Sequence, residues 1–303
     1  MELRQLRSLV GLVDADFSVS RAAERLHLVQ PAVSQHLKAL ESELGVPLFR
    51  RQGKRLVALT PAGEQALHHV RRALADVANI QAIGEDQCDP GSGDLRIGAT
   101  HTQARYVLPP VLRRFTAAYP QVALQLHQGT PQQLVEMALD DRVDLAICTE
   151  ELGRRDELTA IPSYRWNRCL IAPTGHPILA VRPITLELLC EYPLVTYVFG
   201  FTGRGRFSNA FAREGLEPRI VLGAADTDII KVYVREGMGV GIIADIAYHP
   251  DEDTDLGARS LSHLFPDETT RIAHHKHKML RGFQRHFIEC FQEQGRQMRL
   301  ISR

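Results

Sequence analysis

Long apolar runs are missing from this 303-residue sequence. A membrane-spanning helix needs about 20 consecutive apolar residues, and no stretch of this sequence approaches that length. The sequence therefore predicts no membrane partner. The N-terminal segment MELRQLRSLVGLVDADF has a charged or polar group every few residues, so it lacks the unbroken apolar core of a signal peptide. These absences predict a globular protein that works in the cytoplasm.

Cysteine is scarce, and its five positions are scattered at Cys88, Cys148, Cys169, Cys190 and Cys290. No C-x-x-C pair is present, and an odd number of widely spaced thiols is not the pattern of a disulfide framework or a zinc site. In HHKHK the lysines are interleaved with histidines and have no acidic or cysteine partner, which favours a solvated basic face over a metal site. The sequence therefore predicts neither a metal nor a cofactor.

Net charge is also missing, because 36 lysines and arginines balance 36 aspartates and glutamates. The balance is uneven along the chain. Residues 1–60 carry nine basic and six acidic side chains, a net charge of +3, and the remainder carries −3. Charge that separates by segment predicts that one part of the protein meets a polyanion and the other does not.

The segment SVSRAAERLHLVQPAVSQHLKALESELG contains two short helical patterns. In the second, Val33, Leu37 and Leu40 have the spacing of one buried helix face, and HLVQ leaves room only for a tight turn between the helices. Proline has no N–H and fits only a first helical turn, so the second helix starts near residue 30. Its outer face carries side chains suited to base edges and phosphates in a major groove. The predicted DNA contacts of this helix are Gln30, Pro31, Ser34, Gln35 and Lys38.

A basic hairpin follows in VPLFRRQGKRLVALTPAGEQAL. Residues 49–51 and 55–59 have the pattern of short strands around a Gln52-Gly53 turn. Positive charge clusters at the tip of this hairpin, which predicts a wing that contacts backbone phosphates. The alternative is a solvated hairpin beside an ordinary helical pair. The basic side chains of the predicted wing are Arg50, Arg51, Lys54 and Arg55.

Thr60 and Pro61 open a long helix, since threonine can cap a helix and proline fits its first turn. A narrow apolar seam then runs along this helix, and such a seam indicates a partner helix. The sequence thus predicts a dimer that reads two half-sites. The pattern stops at GEDQCDPGSGD, whose composition predicts a flexible joint. The seam consists of Leu67, Val70, Leu74, Val77 and Ile80.

The segments SRAAERLHLVQPAVSQHLKALESELGVPLFRR and LTPAGE resemble the winged helix-turn-helix of LysR-type transcriptional regulators. THTQARYVLP, HQGTP, PSYRWNR, YPLVTYVFGFTGR and AADTDIIKVYVREGMGVGI are similar to the CysB-like regulators of cysteine and sulfur metabolism. The resemblance covers nearly the whole chain. One position departs from the family, which usually has Ser or Thr before the Gln-Pro of the recognition helix. This chain has Val29, which cannot cap, so the helix loses roughly 1 kcal/mol of N-terminal support.

From residue 93 onward, strand-like and helix-like segments alternate, which favours an α/β architecture with parallel strands. The resemblance implies three parts: an N-terminal winged helix-turn-helix domain (1–60), a linker and dimerisation helix (61–87), and a two-lobed, periplasmic-binding-protein-like α/β effector domain (88–303). One lobe is expected at about 91–163 and 267–303, and the other at about 164–266. Ligands of such folds bind in the cleft, at strand C-termini and helix N-termini.

The run GATHTQARY ends a predicted strand and begins a predicted helix. Free backbone N–H groups and the helix dipole attract an anion there, and Thr100, Thr102 and Gln103 add donors without adding charge. The alternatives are a helix cap with no ligand and an enzyme that uses His101 as a base. Side chains alternate along a strand end, so the two threonines share a face that the histidine leaves.

The resemblance implies further effector contacts. Thr149 and Glu150 follow the strand-like DLAIC and are expected to face the same cleft, and Thr202 lies in a glycine-flanked loop. Trp166 is expected just after the crossing between lobes, either as a wall of the cleft or as a core residue. A loop before a helix is expected to hold the amine or hydroxyl of a larger ligand. Its two contact residues are Asp226 and Thr227.

Motifs of catalysis are missing. Ser208 is not in G-x-S-x-G, which excludes a hydrolase elbow. GMGVGI follows a helical pattern and leads into an apolar strand, the reverse of a dinucleotide fingerprint. We therefore predict no catalytic residue and no enzymatic activity.

The resemblance implies a homo-oligomer, a tetramer built as a dimer of dimers, that binds promoter DNA and alters RNA polymerase recruitment. The implied effectors are N-acetylserine or O-acetylserine, with sulfate or thiosulfate as an opposing signal. Two alternatives stay open. One is a regulator of sulfonate or sulfate-ester use that senses a sulfated nucleotide, and the other is a cytoplasmic solute-binding protein without a regulatory role.

Overall fold

The structure is a computed structural model that describes residues 1–53, 55–198 and 204–301, without the side chains of 204 and 299–301. The chain divides into two compact units. The N-terminal unit comprises Met1–Gln87 with His277–Met279, and the C-terminal unit comprises Cys88–Lys276 with Leu280–Arg303. Of the helices in the described part of the chain, none combines the length and apolar character needed to cross a membrane.

The N-terminal unit is a helical head with a small hairpin. Its apolar side chains converge on one core, to which the second predicted helix contributes Val33, Leu37 and Leu40. That helix starts at Gln30 with Pro31 in its first turn, as the sequence predicts. The elements are α1 (Leu3–Asp14), α2 (Val19–Arg25), α3 (Gln30–Leu44), β1 (Phe49–Gln52), β2 (Arg55–Leu59) and α4 (Pro61–Cys88).

The hairpin of β1 and β2 is antiparallel and closes one residue later than expected. Gln52, predicted in the turn, is the last residue of β1 and pairs with Arg55. Gly53 takes the left-handed φ of +61° that a tight turn of this kind requires. The strands therefore extend up to the turn, because Gly53 takes the positive φ while Gln52 stays extended and pairs with Arg55.

Helix α4 starts where the sequence predicts, but it ends later than predicted. The Thr60 hydroxyl accepts the Gly63 N–H at 3.0 Å and donates to the Pro47 carbonyl at 2.8 Å. The helix then continues through Gly84 to Cys88, and the next strand begins at Ser92. The predicted joint GEDQCDPGSGD is thus mostly regular structure, because one glycine inside a long helix lowers its stability without ending it.

The C-terminal unit contains two five-stranded sheets, ordered β4-β3-β5-β12-β6 and β11-β7-β10-β8-β9. Its strands are β3 (Ser92–Ala99), β4 (Gln121–Gln128), β5 (Leu145–Cys148), β6 (Leu158–Trp166), β7 (Arg168–Pro173), β8 (Leu194–Tyr197), β9 (Ile220–Ala224), β10 (Val240–Ala244), β11 (Leu256–Ser260) and β12 (Glu268–His275). Its helices are α5 (Leu108–Ala118), α6 (Pro131–Leu139), α7 (Leu186–Cys190), α8 (Arg204–Arg213), α9 (Thr227–Arg235) and α10 (Gly282–Ile301).

The prediction of parallel strands is only partly correct. β3 runs parallel to β4 and β5, and β8 runs parallel to β9 and β10. The strands next to the crossings are antiparallel to their neighbours: β12 pairs this way with β5 and β6, and β7 with β10 and β11. The reason is topological, because β6 runs straight into the other sheet and the chain later returns through β12.

The chain crosses between the sheets twice, which defines a first lobe (92–166 and 268–301) and a second lobe (168–260). The first crossing lies at Asn167, a few residues beyond the expected boundary near 163, because β6 stays in the first sheet as far as Trp166. Asn167 ties the crossings together, since its side-chain N–H groups donate to the Phe265 carbonyl at 3.0 Å and to Asp267 at 2.9 Å.

Candidate functional site

The outer face of α3 is open to solvent. Gln30, Pro31, Gln35 and Lys38 are exposed, and Ser34 is half-buried. These residues lie opposite the face that packs into the core of the N-terminal unit. The arrangement is that of a helix whose polar side can enter a groove while its apolar side holds it in place.

The start of α3 is held without a side-chain cap from Val29. This residue occupies the N-cap position in an extended conformation. Within the fully described helix α3, its side chain forms no capping hydrogen bond to a backbone N–H. Gln30 contributes instead, because its amide nitrogen donates to the Ser20 hydroxyl on α2 at 2.6 Å. The lost cap expected from the sequence is confirmed, and the helix start is tied to its neighbour through the next residue.

The wing arginines differ in what they already contact. Arg50 and Arg55 are exposed, whereas Arg51 forms an ion pair with Glu41 at 3.0 Å. The other carboxylate oxygen of Glu41 accepts the N–H groups of Leu48 and Phe49 at 2.8 and 3.2 Å. Arg51 therefore helps to position the wing on α3. Lys54, also predicted to contact DNA, lies outside the described residues.

In the C-terminal unit, Thr100 follows the end of β3 and a helix begins directly after it. The helix continues into α5 through a π-helical turn at Gln103–Val107. The Thr100 N–H donates to the Ile147 carbonyl at 3.3 Å, so the C-terminal ends of β3 and β5 lie side by side. This edge brings Thr149 next to residues 100–103. We call Thr100, Gln103 and Thr149 the cradle.

The Gln103 side chain is only 3% exposed and is oriented by a neighbour that the sequence did not reveal. The buried Tyr164 hydroxyl donates to the Gln103 amide oxygen. Burial raises the pKa of Tyr164, which keeps the hydroxyl protonated as a donor. This bond turns the amide oxygen toward Tyr164 and leaves the amide N–H groups as the donors of this side chain.

Thr149 is oriented in the same manner. The Trp166 indole N–H donates to the Thr149 hydroxyl oxygen at 3.2 Å, and Thr270 lies 3.3 Å from that same oxygen. An indole N–H can only donate, so the threonine hydroxyl accepts from it, and its own hydrogen can point to Thr270 or to a ligand. Trp166 is buried at the end of β6, before the crossing and not after it. It supports Thr149 from within the core cluster of the first lobe.

Thr102 and Thr227 do not face open solvent, because both are buried beside Tyr197 of the second lobe. The Tyr197 hydroxyl lies 2.7 Å from the Thr227 hydroxyl, accepts the Ala244 N–H at 3.1 Å and also hydrogen-bonds Thr102. Asp226 caps α9 by accepting the Ile229 N–H at 2.8 Å. These hydroxyls therefore join the two lobes behind the cradle.

Two buried charges lie near the crossings. Arg168 contacts Glu268 at 3.2 Å, and both side chains are almost completely buried. Burial lowers the pKa of Arg168, while the carboxylates of Glu268 and Glu150 raise it. Glu150, predicted to contact the effector, thus places its charge close to a guanidinium. Thr202, the remaining predicted contact, lies outside the described residues.

His101 points away from the cradle. Its Nε2 lies 3.6 Å from Asp228 of the second lobe. Asp228 also accepts the Tyr106 hydroxyl at 2.5 Å, and the Tyr106 ring lies 5.0 Å from the Lys231 ammonium. We call this group of Tyr106, His101 and Asp228 the interlobe contact.

Sequence reasoning missed the supporting residues Tyr164, Tyr197, Arg168 and Thr270. One signal was available for the first of them: Tyr164 and Trp166 occupy alternate positions of a strand and share a face, and buried Tyr O–H and Trp N–H groups need partners. The other three carry no local pattern. Among residues 1–53, 55–198 and 204–301, no group of three or more His, Cys, Asp or Glu side chains could hold a metal ion.

Two family models match this chain. Residues 3–64 match the bacterial regulatory helix-turn-helix protein, lysR family, and residues 89–296 match the LysR substrate binding domain. The chain is 43% identical over 291 residues to the HTH-type transcriptional regulator CysB of Haemophilus influenzae, covering 96% of this chain and 90% of the relative. It is 42% identical to the HTH-type transcriptional regulator SsuR of Burkholderia cenocepacia, covering 96% of this chain and 94% of the relative.

A solved structure extends the comparison. The cofactor-binding domain of the Cbl transcriptional regulator is 39% identical, covers 67% of this chain and 89% of its own, and superimposes with a TM-score of 0.65. The chain belongs to the LysR family of bacterial transcriptional regulators.

Proposed function

We propose that this protein regulates genes of sulfur assimilation and cysteine biosynthesis, and that a small effector bound between its lobes controls its action on promoter DNA. CysB and SsuR regulators at 43% and 42% identity over most of the chain support the assignment. Within it, residues 1–60 bind DNA, 61–87 join subunits and 88–303 bind the effector. The protein acts in the cytoplasm without catalysis, as a dimer of dimers that alters RNA polymerase recruitment.

One observation carries the effector assignment: buried neighbours orient the polar side chains of the cradle. Tyr164 donates to the amide oxygen of Gln103, and Trp166 donates to the hydroxyl oxygen of Thr149. The amide N–H groups of Gln103 are thereby left as donors, beside the backbone N–H groups of a helix start. A site that offers donors without a net positive charge suits a small anion that must bind and also leave.

The proposed effectors are therefore sulfate or thiosulfate in the cradle, with N-acetylserine or O-acetylserine presenting a carboxylate to the same donors. Binding changes DNA affinity only through different affinities for the two lobe arrangements. The proposed effector contacts are Thr100, Thr102, Gln103, Thr149, Glu150, Trp166, Thr202, Asp226 and Thr227. The proposed DNA contacts are Gln30, Pro31, Ser34, Gln35, Lys38, Arg50, Arg51, Lys54 and Arg55.

The test is a titration of the full-length protein with sulfate, thiosulfate, N-acetylserine, O-acetylserine and adenosine phosphosulfate. Trp166 fluorescence reports the cradle directly, since its indole N–H bonds to Thr149. A bound effector should also raise the unfolding temperature, and at equal concentration the tighter-binding effector should raise it more. Chloride and nitrate at equal ionic strength serve as controls.

The outcomes separate the candidate functions. Preference for adenosine phosphosulfate would favour the regulator of sulfonate or sulfate-ester use. Effector binding without any preference for a sulfur-gene promoter over random DNA in a salt-matched gel shift would favour a solute-binding protein. No response to any of the five ligands would contradict the effector assignment.

A further inference from the structure

Val29 is an apolar side chain at the one position of α3 where a polar group would cap the helix. It sits at the N-cap with an extended backbone and contributes no capping bond to α3. The residue is 68% exposed, so it is not part of the core that Val33, Leu37 and Leu40 fill. Neither helix capping nor folding of the head accounts for a valine here.

The backbone around Val29 is fixed, so the side chain is presented in one place. The Val29 carbonyl accepts the N–H groups of Ala32 and Val33 at 3.0 and 3.4 Å, and the Leu28 N–H donates to Ala23 at 2.9 Å. The following residue is tied to α2 through its bond to Ser20. A β-branched side chain has few rotamers, so Val29 needs little further ordering when it meets a partner.

The surroundings of Val29 belong to the exposed face of α3. Gln30 and Pro31 follow it, and the polar face continues with Gln35 and Lys38 one and two turns later. In a helix-turn-helix the N-terminal residues of the recognition helix are those that reach base edges. Val29 is thus an apolar group at the reading end of a face that is otherwise polar.

A major groove offers one apolar group to such a side chain, the C5-methyl of thymine. The other base edges present donors and acceptors, which a valine cannot satisfy. We propose that Val29 reads a thymine methyl group in the operator and so helps to set its sequence. This inference rests on the proposed function, because it requires that α3 enters a major groove.

The test uses the full-length protein and a duplex selected by it from a random DNA pool. The same duplex is then made with deoxyuridine at every thymidine, which removes the methyl groups and keeps the pairing. Dissociation constants are measured for both duplexes at one salt concentration, with the unmodified protein and with Val29→Ser. The variant gains a capping hydroxyl, so its helix should form at least as well.

The unmodified protein should bind the deoxyuridine duplex more weakly than the thymidine duplex. For Val29→Ser this ratio should shrink by about fourfold, the factor expected for one methyl group removed from water. Lys38→Ala is the matched control on the same face. It should weaken binding to both duplexes and leave their ratio as in the unmodified protein.

A ratio unchanged by Val29→Ser would overturn the assignment of Val29. Equal tightening on both duplexes would overturn it too, since the serine would then have supplied a phosphate contact and nothing else. A selection that enriches no sequence over random DNA would overturn the proposed function together with this inference. An enriched sequence with an unchanged ratio would overturn the inference alone.

Discussion

The face of α3 and the cradle use the same kinds of uncharged polar side chain but differ in what those side chains already bond to. Gln35 on α3 is exposed to solvent, whereas Gln103 in the cradle is buried and oriented by Tyr164. DNA is a large partner that approaches from outside and can order side chains as it docks. A small anion offers few contacts, so the proposed anion site needs donors that the protein orders beforehand through its own core.

Removing a reading side chain from α3 should give the largest effect. Gln35→Ala should weaken binding to a selected promoter by about tenfold or more, since one good contact to a base edge discriminates by about 1–3 kcal/mol. The unfolding temperature should stay close to that of the unmodified protein because the side chain is exposed. Fluorescence anisotropy with promoter and random duplexes checks this. Equal loss on both duplexes would mean that Gln35 contacts only the backbone.

Tyr164→Phe tests whether anion binding at the cradle depends on the hydrogen bond that orients the Gln103 amide. The change leaves the Gln103 amide oxygen buried without its donor, which costs about 1–3 kcal/mol. Anion affinity should fall by about tenfold, in isothermal titration with sulfate or thiosulfate.

The matched control is Tyr248→Phe, which removes a hydroxyl bonded to the Leu256 carbonyl at 3.0 Å in the second lobe. It should lower stability without changing anion affinity. Equal loss of affinity in both variants would show that general destabilisation, and not the orientation of Gln103, is responsible.

The two neighbouring wing arginines provide a smaller contrast. Arg50→Ala should weaken binding to all DNA sequences and reduce the slope of affinity against salt by about one. Arg51→Ala should instead lower the unfolding temperature more, because Arg51 pairs with the Glu41 carboxylate that holds Leu48 and Phe49. Salt titrations and thermal unfolding of both variants distinguish the roles. If both variants showed the same salt slope and the same unfolding temperature, Arg50 and Arg51 would not have the different roles proposed here.

His101→Ala should give the smallest effect. His101 turns toward Asp228 and away from the cradle, so the variant should bind the anion with affinity within about twofold of the unmodified protein. Thr100→Val, which removes a hydroxyl at the cradle itself, should lose several-fold more affinity. An anion response that vanishes in His101→Ala and persists in Thr100→Val would revive the alternative of an enzyme with a histidine base.

Local chemistry explains which parts of the molecule the sequence predicts. Pro31 and Thr60 mark helix starts because proline and a capping hydroxyl suit few other places. The end of α4 and the antiparallel strands beside the crossings were missed, since both depend on how distant segments meet. The two-lobed effector fold was expected from the family resemblance and not from periodicity.

For the candidate site, the sequence places Thr100 and Thr149 at strand ends but cannot say which side chains stand behind them. Tyr164 and Thr270 reach the cradle from β6 and β12, more than 100 residues apart in the chain. Burial also changes the meaning of two predicted contacts, since Thr102 and Thr227 are joined through Tyr197. The positions of the candidate site residues along the chain were predictable from the sequence. Their hydrogen-bond partners were not, because these come from distant segments that only the folded structure brings together.

The interlobe contact has a consequence for how the regulator is tuned. Tyr106 and Asp228 join the lobes without taking part in the cradle, so they bias the lobe arrangement before any effector arrives. The effector concentration that triggers a response depends on this bias as well as on intrinsic affinity. Changes at Tyr106 or Asp228 can therefore move the threshold of the response up or down while its chemical selectivity stays fixed. Under the proposed function, sensitivity and selectivity are thus adjustable at separate residues of the same domain.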